Sequence, residues 1–483
     1  MRWPRILALV SFVHAFEAPP AFGVTHTLSF ASHNPEDPYD KEWKQPNTDV
    51  ALYPETQHLA LDPSMRHLRP PPPRIPSTYD IFVGLSAFRD GVRCAYTVFT
   101  GFKRSSAPDH LYFGIVDQVN EDDANCIDEY CILAKEEWPE EECKYKSHIK
   151  TDKRNANDSR GPTLARSYQQ LLVGNQEFCL QLDAHSVFTN DWDLGLVEDW
   201  KTVGNEMGVL TTYLHNLHDF VQPDGSNKGA SYDTPQHLPH ICQTMRGGNG
   251  LVRNIGADLI LGPKAPQLTA LWGAGFSFSK CHAEKRVLTD SHTLWMFDGE
   301  EFLRASHLWT HGYDLYSPSR TGCVVYHNYT SVPARFEYVQ VDENKRKEER
   351  EMGENRFRLI VNWPFKGPVD TFELDKYGWG TARSLQQYLN FSGITFEPNK
   401  RDEHSCKQLY WVPYSDPSSI EALLPGWNLY SEHAQALRGP GIALGTADDT
   451  SSVGMGILFV GVVVVGILLY TQRIKRSLPA KDT

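Results

Sequence analysis

The chain has 483 residues, of which 40% are hydrophobic and 12% aromatic, so it can bury a core and is not disordered throughout. Its 60 acidic and 47 basic residues give a net charge of −13, which argues against nucleic acid as a partner because polyanions bind clustered lysine and arginine. The length allows one large domain with tails, or roughly two to four smaller domains.

Apolar segments mark both ends of the chain. Near the start, a basic stretch precedes the apolar run Ile6–Val13 and a small-residue pattern, which together predict a cleaved signal peptide over residues 1–15. Near the end, the uncharged segment Val453–Tyr470 and the basic residues after it predict a transmembrane helix and a cytosolic tail over 471–483. We therefore expect a single-pass membrane protein of the secretory pathway (Golgi or endoplasmic reticulum) with its main part in the lumen. A tail-anchored cytosolic protein is the alternative.

The chain between these segments divides by composition. Residues 16–78 are polar and contain the run Pro70–Pro73, which predicts a proline-rich stem or leader. From Tyr79 the patterns become those of a folded domain. We assign residues 79–340 to this domain and residues 341–445 to its C-terminal extension.

Apolar runs at helix-length spacing predict a mostly parallel sheet covered by helices. Ile81–Phe88 and Leu111–Val116 are predicted strands with room for a helix between them, which is the order of a parallel crossover unit. The acidic stretch Glu121–Glu142 is predicted to be a solvated insertion. The later predicted elements are a helix from Gly161, a strand over Phe178–Leu182, a helix over Trp192–Trp200, a strand over Val209–Leu214, a helix over Gly299–Trp309, a strand over Cys323–His327 and an exposed helix over Glu343–Glu354.

Nine cysteines favour disulfide bonds over a zinc site. The odd number leaves at least one cysteine without a partner in the chain, and the cluster Cys126, Cys131 and Cys143 is suited to a disulfide that holds irregular chain. The cysteines lack zinc-site spacing. His307 and His311 stand four residues apart but lack the glutamate of a zinc-protease motif, so we interpret them as packing or surface residues.

Three glycosylation sequons occur, at Asn157, Asn328 and Asn390. Asn157 and Asn390 fall in polar or turn-like surroundings, whereas Asn328 directly follows a predicted strand. We predict a glycan on one or both of Asn157 and Asn390 and none on Asn328.

The most suggestive polar residues follow the strand Phe178–Leu182. Asp183 and His185 stand two residues apart on extended chain, so both side chains point to the same side. Ligands of open α/β sheets bind at the carboxyl ends of strands. A carboxylate and an imidazole at one point suit a divalent ion such as Mn²⁺, although Asp183 could instead cap the next turn.

Other candidates lie later in the chain. Glu300 and Glu301 open a predicted helix, where their charge also favours the positive end of the helix dipole. His327 ends an apolar strand, which is an unusual position for a histidine without a partner. Trp272 and Gly273 belong to a glycine-containing turn that could let a sugar approach the backbone.

Six motifs occur in the order of a known family. They are Ile81–Asp90, Asp183–Phe188 with Trp192-Asp193, Asp298–Glu301, Leu308–Asp314, Val325–His327 and Tyr377–Arg383 with Ser392-Gly393. Over about residues 79–395 the chain resembles the N-acetylglucosaminyltransferases whose founding members glycosylate hydroxyproline on a cytosolic ubiquitin-ligase adaptor. It is also similar, more distantly, to the polypeptide N-acetylgalactosaminyltransferases.

The resemblance implies a GT-A-like fold, a nucleotide-sugar donor, UDP-GlcNAc, and a divalent cation, Mn²⁺ or another. It further implies that Asp183, His185 and His327 bind the metal. Glu300 and Glu301 would lie on the sugar or acceptor side, and we assign them as catalytic residues.

The resemblance also implies a donor-binding set. Asp117 would lie near the uracil, and Arg166 would face the nucleotide or its phosphates. Arg89, Trp272 and Gly273 complete this set.

The predicted fold class is therefore α/β: a GT-A-like nucleotide-sugar-binding fold with a mostly parallel central sheet, plus a C-terminal transmembrane helix. The predicted function is metal-dependent, retaining transfer of GlcNAc to serine, threonine or hydroxyproline of a polypeptide. Because the predicted signal peptide and anchor put the body in the lumen, a secreted or membrane polypeptide is the expected acceptor. The alternatives are a glycoside hydrolase that uses Glu300 with Asp183, and a non-catalytic ectodomain that binds carbohydrate or protein.

Overall fold

The computed structural model describes residues 23–30, 49–227 and 237–431, all within the compact unit Met1–Ala436. The strands in these ranges are β1 His26–Ser29, β2 Val50–Leu52, β3 Ile81–Phe88, β4 Leu111–Val119, β5 Ile149–Asn155, β6 Phe178–Asp183, β7 Ser186–Phe188, β8 Gly208–Thr211, β9 His237–His240, β10 Thr244–Arg246, β11 Val252–Asn254, β12 Asp258–Leu261, β13 Gln267–Thr269, β14 Phe276–Lys280, β15 Asp314–Ser317 and β16 Val325–His327. The α-helices are α1 Gly91–Lys103, α2 Cys126–Glu137, α3 Pro162–Gln170, α4 Trp192–Val203, α5 Leu217–Phe220, α6 Cys281–Arg286, α7 Glu300–Thr310, α8 Glu343–Ile360, α9 Leu385–Ser392 and α10 Ser418–Leu423.

An eight-stranded sheet forms the centre of the fold, in the order β13-β15-β8-β14-β6-β3-β4-β5. Strands β6, β3, β4 and β5 are parallel to one another, and we call them the parallel half. In the other four strands, the mixed half, β14 pairs antiparallel with both β6 and β8, β15 is parallel to β8, and β13 is antiparallel to β15. The sheet is therefore parallel along four of its seven neighbouring pairs, fewer than a doubly wound sheet would have.

Strands β3, β4 and β6 of the parallel half are largely apolar because helices cover both faces of the sheet there, whereas the edge strand β5 is polar. Helix α1 packs on one face through the buried side chains of Val98 and Phe102, and α2 packs on α1. Helix α4 continues the same apolar cluster towards β8 and β14 through the buried Trp200. Helix α3 packs against β3 and β4, where the side chain of Gln169 lies directly against Gly84 of β3. The predicted strand–helix–strand order of β3, α1 and β4 is confirmed.

A second apolar cluster joins the mixed half to the C-terminal region. Phe302 and Trp309 of α7 are buried with Phe357 of α8, Tyr388 of α9 and Trp411. The described part of the segment predicted as a C-terminal extension thus shares a core with the sheet. The predicted helices at Trp192, Gly299 and Glu343 correspond to α4, α7 and α8, whereas the predicted strands at Val209 and Cys323 are shorter, as β8 and β16.

The predicted stem requires correction for its described part. β1 pairs with β12 and β2, in a four-stranded sheet of order β2-β1-β12-β9. Leu28 and Leu52 are buried there beside Ile260. The apolar partners of this segment lie far away along the chain, so its own local pattern does not reveal that it is folded.

The prediction of a solvated insertion over Glu121–Glu142 is also wrong. This segment contains helix α2, whose Cys126, Tyr130 and Ala134 are buried while its acidic residues face solvent. Three buried positions on one side are enough to attach a short helix to the core, even though the segment as a whole is highly charged.

Four disulfide bonds stabilise the fold, and they confirm that one of nine cysteines lacks an intrachain partner. Cys323 is the unpaired one among the described residues. Asp258 approaches two cysteine sulfurs, but these are bonded to each other, so this group is not a metal site. The bonds are Cys94–Cys126, Cys131–Cys143, Cys179–Cys281 and Cys242–Cys406.

The fold-class prediction included a C-terminal transmembrane helix, and that part is corrected. No helix in the described ranges is long and apolar enough to cross a bilayer. The predicted span Val453–Tyr470, the signal peptide over 1–15 and the tail over 471–483 lie outside the described residues.

Candidate metal centre and cleft

A cleft of about 600 Å³ opens at the carboxyl ends of β3, β4 and β6. Ser86, Gln118 and Asp183 line it from these three strands, while Arg166 of α3 and Glu300 of α7 line it from the helices. This is the edge at which open α/β sheets bind their ligands.

Asp183, His185 and His327 meet in this cleft. Each offers one potential ligand atom, and these atoms lie within 4.8 Å of one another. Asp183 ends β6, and His327 ends β16, which pairs antiparallel with β7 so that His327 lies opposite Ser186. The backbone N–H of Asn328 donates to the carbonyl of His185 at 2.9 Å. Two short paired strands thus bring together side chains that are far apart in sequence.

The three side chains fit a divalent cation. Nε2 of His327 lies 3.4 Å from Oδ2 of Asp183, and the imidazole rings of His185 and His327 have centroids 4.6 Å apart. Nδ1 of His327 is buried without a hydrogen-bond partner among the described residues, so this ring retains ligand capacity. One carboxylate and two imidazoles are a donor set that suits a transition-metal ion such as Mn²⁺.

Two neighbouring residues, Arg166 and Asp90, favour the charge and the orientation that metal binding requires of Asp183 and His185. Burial favours the neutral acid, but the hydrogen bond from His327 and the charge of Arg166 outweigh it and hold the pKa of Asp183 well below its ordinary value. Asp90, which the sequence analysis left without a role, has its Oδ2 3.5 Å from Nδ1 of His185 and can orient that ring.

Arg166 is the centre of a buried ion-pair network. Its Nη1 contacts Oε1 of Glu300, and its Nη2 lies 3.4 Å from Oδ1 of Asp183 and 3.2 Å from the carbonyl oxygen of Ala274. The Arg166 side chain is only 12% exposed. It lines the cleft as predicted, but protein groups already occupy the guanidinium that was expected to face phosphates.

Glu300 and Glu301 lie side by side at the start of α7, and both line the cleft. Burial raises the pKa of Glu300, and the charge of Arg166 opposes this rise. Glu301 uses both carboxylate oxygens: Oε1 accepts the N–H of Ala274 at 3.0 Å, and Oε2 accepts the hydroxyl of Tyr213 at 2.8 Å. Burial raises the pKa of Glu301 to about 7.

Arg166 is the one residue of the predicted donor-binding set that lines the cleft; Asp117 and Arg89 lie elsewhere. Asp117 is fully buried, and its Oδ2 accepts the N–H of Cys126 at the start of α2. Gln118 lines the cleft instead, because adjacent residues of a strand face opposite sides. Arg89 forms two hydrogen bonds to Asp123, at 2.7 and 2.9 Å, outside the cleft lining.

The predicted glycine-containing turn does reach the cleft, but through other residues. Trp272 is buried in the apolar cluster with α7, and Gly273 is packed so closely that a Cβ there would lie 2.9 Å from the carbonyl oxygen of Thr212. Ala274 and Gly275 line the cleft in their place. The assignment of Trp272 and Gly273 to donor binding is therefore corrected by two positions.

Aromatic side chains that the sequence analysis missed stand at the mouth of the cleft. Phe297, Tyr329 and Phe336 line it, and Phe297 and Tyr329 are 61% and 58% exposed. Tyr329 follows the candidate ligand His327 by two residues, and an aromatic residue at that spacing is a signal that the sequence offered.

A family model described as Glycosyltransferase (GlcNAc) matches residues 80–138 and 128–398, which together span about two thirds of the chain. No curated protein matches the sequence at a significant level.

Several solved structures are similar in fold. One is GalNAc-T7 with UDP, GalNAc and Mn²⁺, at 14% identity and a TM-score of 0.38 over 58% of this chain and 48% of that chain. Another is mannosyltransferase PcManGT from Pyrobaculum calidifontis in complex with GDP-Man and Mn²⁺, at 12% identity and a TM-score of 0.34 over 62% and 69%. A third is S. aureus TarS 1–349, at 11% identity and a TM-score of 0.32 over 58% and 72%. The chain spans about half the length of the first of these.

Proposed function

The chain belongs to the GlcNAc glycosyltransferase family, and from this premise we propose that it transfers N-acetylglucosamine from UDP-GlcNAc to a polypeptide hydroxyl with the help of a divalent cation. The observation that carries the proposal is the meeting of Asp183, His185 and His327 in a cleft of about 600 Å³. A cleft of that size can enclose a small ligand such as a nucleotide sugar.

Asp183, His185 and His327 would hold the cation. A divalent cation in such a site neutralises the diphosphate of the donor and favours its departure. The chain contributes by keeping the ligand set ready: Arg166 favours the ionised form of Asp183, and Asp90 orients His185.

The contacts of the two glutamates favour transfer without a covalent sugar–enzyme intermediate. Tyr213 and Ala274 occupy both oxygens of Glu301, and Arg166 pairs with Oε1 of Glu300, so Glu301 has no free oxygen and Glu300 is held in an ion pair. The acceptor oxygen would bond to C1 on the face from which UDP leaves, as the bond from C1 to the phosphate oxygen breaks. The hydroxyl proton would pass to the departing diphosphate.

Residues at the cleft mouth would bind the remaining parts of the substrates. Glu300, at the start of α7, faces the cleft and would accept a hydrogen bond from a sugar or acceptor hydroxyl. The exposed rings of Phe297 and Tyr329 suit stacking on a sugar, a base or an apolar acceptor residue.

The disulfide bonds support a lumenal location. Four bonds among the described residues are typical of a protein that folds in an oxidising compartment. We therefore propose residence in the secretory pathway and an acceptor that passes through it, with serine, threonine or hydroxyproline as the modified residue.

Glycoside hydrolysis by Glu300 with Asp183 is disfavoured. Both carboxylates contact the same guanidinium of Arg166, at Nη1 and Nη2. They form one ion-pair network, whereas a hydrolase needs two carboxyl groups on either side of the scissile bond.

A donor screen tests the proposal. The purified protein would be incubated with UDP-GlcNAc, UDP-GalNAc, UDP-Glc or GDP-Man, with Mn²⁺ or with a chelator, and nucleotide release would be measured. We expect release from UDP-GlcNAc with Mn²⁺, and retention of the anomeric configuration by NMR. Release that is equal with the chelator, or preferred release from another donor, would contradict the proposal.

A further inference from the structure

We propose that Glu301 is a positioning residue that acts on the metal site through the turn Ala274–Gly275, which we call the support turn. The inference rests on the proposed metal-dependent function and deepens it. Glu301 touches none of the three candidate ligands in the contacts described above. Glu301 can therefore affect the position of the metal ligands only through the backbone to which it is hydrogen-bonded.

The support turn touches the ligand Asp183 directly. The N–H of Asp183 donates to the carbonyl of Gly275 at 3.1 Å. A Cβ at position 275 would lie 3.1 Å from Oδ2 of Asp183, which is tighter than ordinary contact. Oδ2 is also the oxygen that faces His327. The backbone of Gly275 thus lies directly beside the ligand oxygen Oδ2 of Asp183. Glycine, which has no Cβ, leaves room for that oxygen.

The preceding residue of the support turn is held from two sides. The carbonyl oxygen of Ala274 accepts hydrogen bonds from Nη2 of Arg166 and Nε2 of Gln181. Its N–H donates to Oε1 of Glu301 at 3.0 Å. Both polar groups of Ala274 are therefore fixed, which sets the orientation of the following glycine.

Glu301 is itself immobilised. Its other oxygen accepts the hydroxyl of Tyr213, and its backbone belongs to the first turn of α7. Glu301 provides the N–H of Ala274 in the support turn with a hydrogen-bond acceptor at a fixed position. An amide oxygen can do the same, whereas an amide cannot exchange a proton with a substrate. This difference separates positioning from acid–base catalysis.

The test is Mn²⁺ binding measured by electron paramagnetic resonance, with a melting curve for each variant. We expect Glu301→Ala and Gly275→Ala to weaken Mn²⁺ binding by about tenfold or more, in the range found when groups that support metal ligands are removed. Glu301→Gln should weaken it less than about threefold, and the pH profile of UDP release should keep its wild-type shape. Gly248→Ala is the matched control, since a Cβ there meets no atom within 4 Å.

Each result separates this inference from the function on which it rests. Wild-type protein that binds no Mn²⁺ would overturn the proposed function itself. If the wild type binds Mn²⁺ and folded Glu301→Ala binds it equally well, the positioning role is wrong. If Glu301→Gln binds Mn²⁺ normally but is as inactive as Glu301→Ala, Glu301 is an acid–base catalyst instead. Should Glu301→Ala not fold, Gly275→Ala decides, and wild-type Mn²⁺ affinity in that variant would overturn the inference.

Discussion

The two halves of the central sheet contribute to the cleft in different ways. The parallel half presents Asp183 at the end of β6, in the position where a regular strand of such a sheet offers a ligand. Beside the mixed half, the contributing residues come from a turn and a helix start: Gly275 precedes β14, and Glu300 and Glu301 open α7. The parallel half thus supplies a candidate metal ligand, and the segments beside the mixed half supply the backbone and the carboxylates around that ligand.

This difference determines what a sequence pattern can reveal. In the parallel half, β3 and β4 are consecutive in the chain and adjacent in the sheet, so a strand–helix–strand pattern predicts their neighbours. In the mixed half, β14 lies between β6 and β8, from which it is distant in sequence. Residues that depend on such pairing, such as Ala274 and Gly275, were located only approximately.

The largest effect on activity is expected when one of the three candidate metal ligands is removed, because among the described residues only the parallel half and the strand pair β7–β16 supply such ligands. Asp183→Ala, His185→Ala and His327→Ala should each reduce Mn²⁺-dependent UDP release by about 10³ or more, because each ~1.4 kcal/mol of lost stabilisation is tenfold in rate. The fold should survive, as a melting curve can show, because Asp183 and His327 end strands and His185 lies in the turn between β6 and β7. His311→Ala, outside the cleft lining, is the control. A folded Asp183→Ala variant with the wild-type rate would exclude this metal site.

A second test concerns stability far from the ligands. Replacing the bond Cys131–Cys143 by two serines opens a link between residues 12 apart, beside the edge of the parallel half. The free energy of unfolding should fall by about 3 kcal/mol, from the restored entropy of the unfolded chain. Denaturant unfolding measures this loss. The Mn²⁺ concentration for half-maximal UDP release should stay at its wild-type value, and a shift would mean that this helical segment supports the site.

A third test breaks the connection between the halves. Arg166 contacts Asp183 from the parallel half and Glu300 and Ala274 from beside the mixed half. Arg166→Lys keeps the charge but cannot reach three partners with one ammonium group, so we expect kcat to fall by about 10- to 100-fold. Arg335→Lys, at an exposed position, is the control. Measured kcat values equal to wild type would show that the network is not needed for turnover.

A fourth test uses pH. Because burial raises the pKa of Glu301 from 4.5 to about 7, the folded protein holds a proton that the unfolded chain has lost. The free energy of unfolding contributed by this group should therefore fall by about 2 kcal/mol as pH rises from about 5 to 7. Melting curves with a chelator would compare the wild type with Glu301→Gln, in which this contribution to the decline should be absent. Parallel curves for the two proteins would contradict the raised pKa.

The smallest effect is expected from glycosylation. Asn157 and Asn390 are exposed, whereas Asn328 adjoins His327 and its Oδ1 accepts hydrogen bonds from Thr330. We predict glycan mass on peptides with Asn157 or Asn390 and none on the Asn328 peptide. Asn157→Gln should leave Mn²⁺-dependent UDP release unchanged because the residue lies outside the cleft lining. Glycan mass on the Asn328 peptide would contradict this prediction.

From the residue pattern we could predict the α/β class, the parallel strands and the pairing of Asp183 with His185 as candidate ligands. Ile81–Phe88 and Phe178–Asp183 are mostly apolar. This pattern lies within each segment, so it can be recognised without knowing which strands pair. The resemblance to a family then related His327 to Asp183 and His185. Family membership is shown by the match over residues 80–138 and 128–398.

Which polar groups meet depends on the folded structure. Asp117 was expected near the uracil but binds the start of α2. Arg166 was expected to face the nucleotide or its phosphates; it lines the cleft and also binds Glu300 and Asp183. The described part of the predicted stem pairs with β12 instead of standing apart. A local pattern shows that a residue is polar or apolar, whereas the partner of a buried group depends on strand pairing between segments far apart in the chain. Such pairing exists only in the folded molecule.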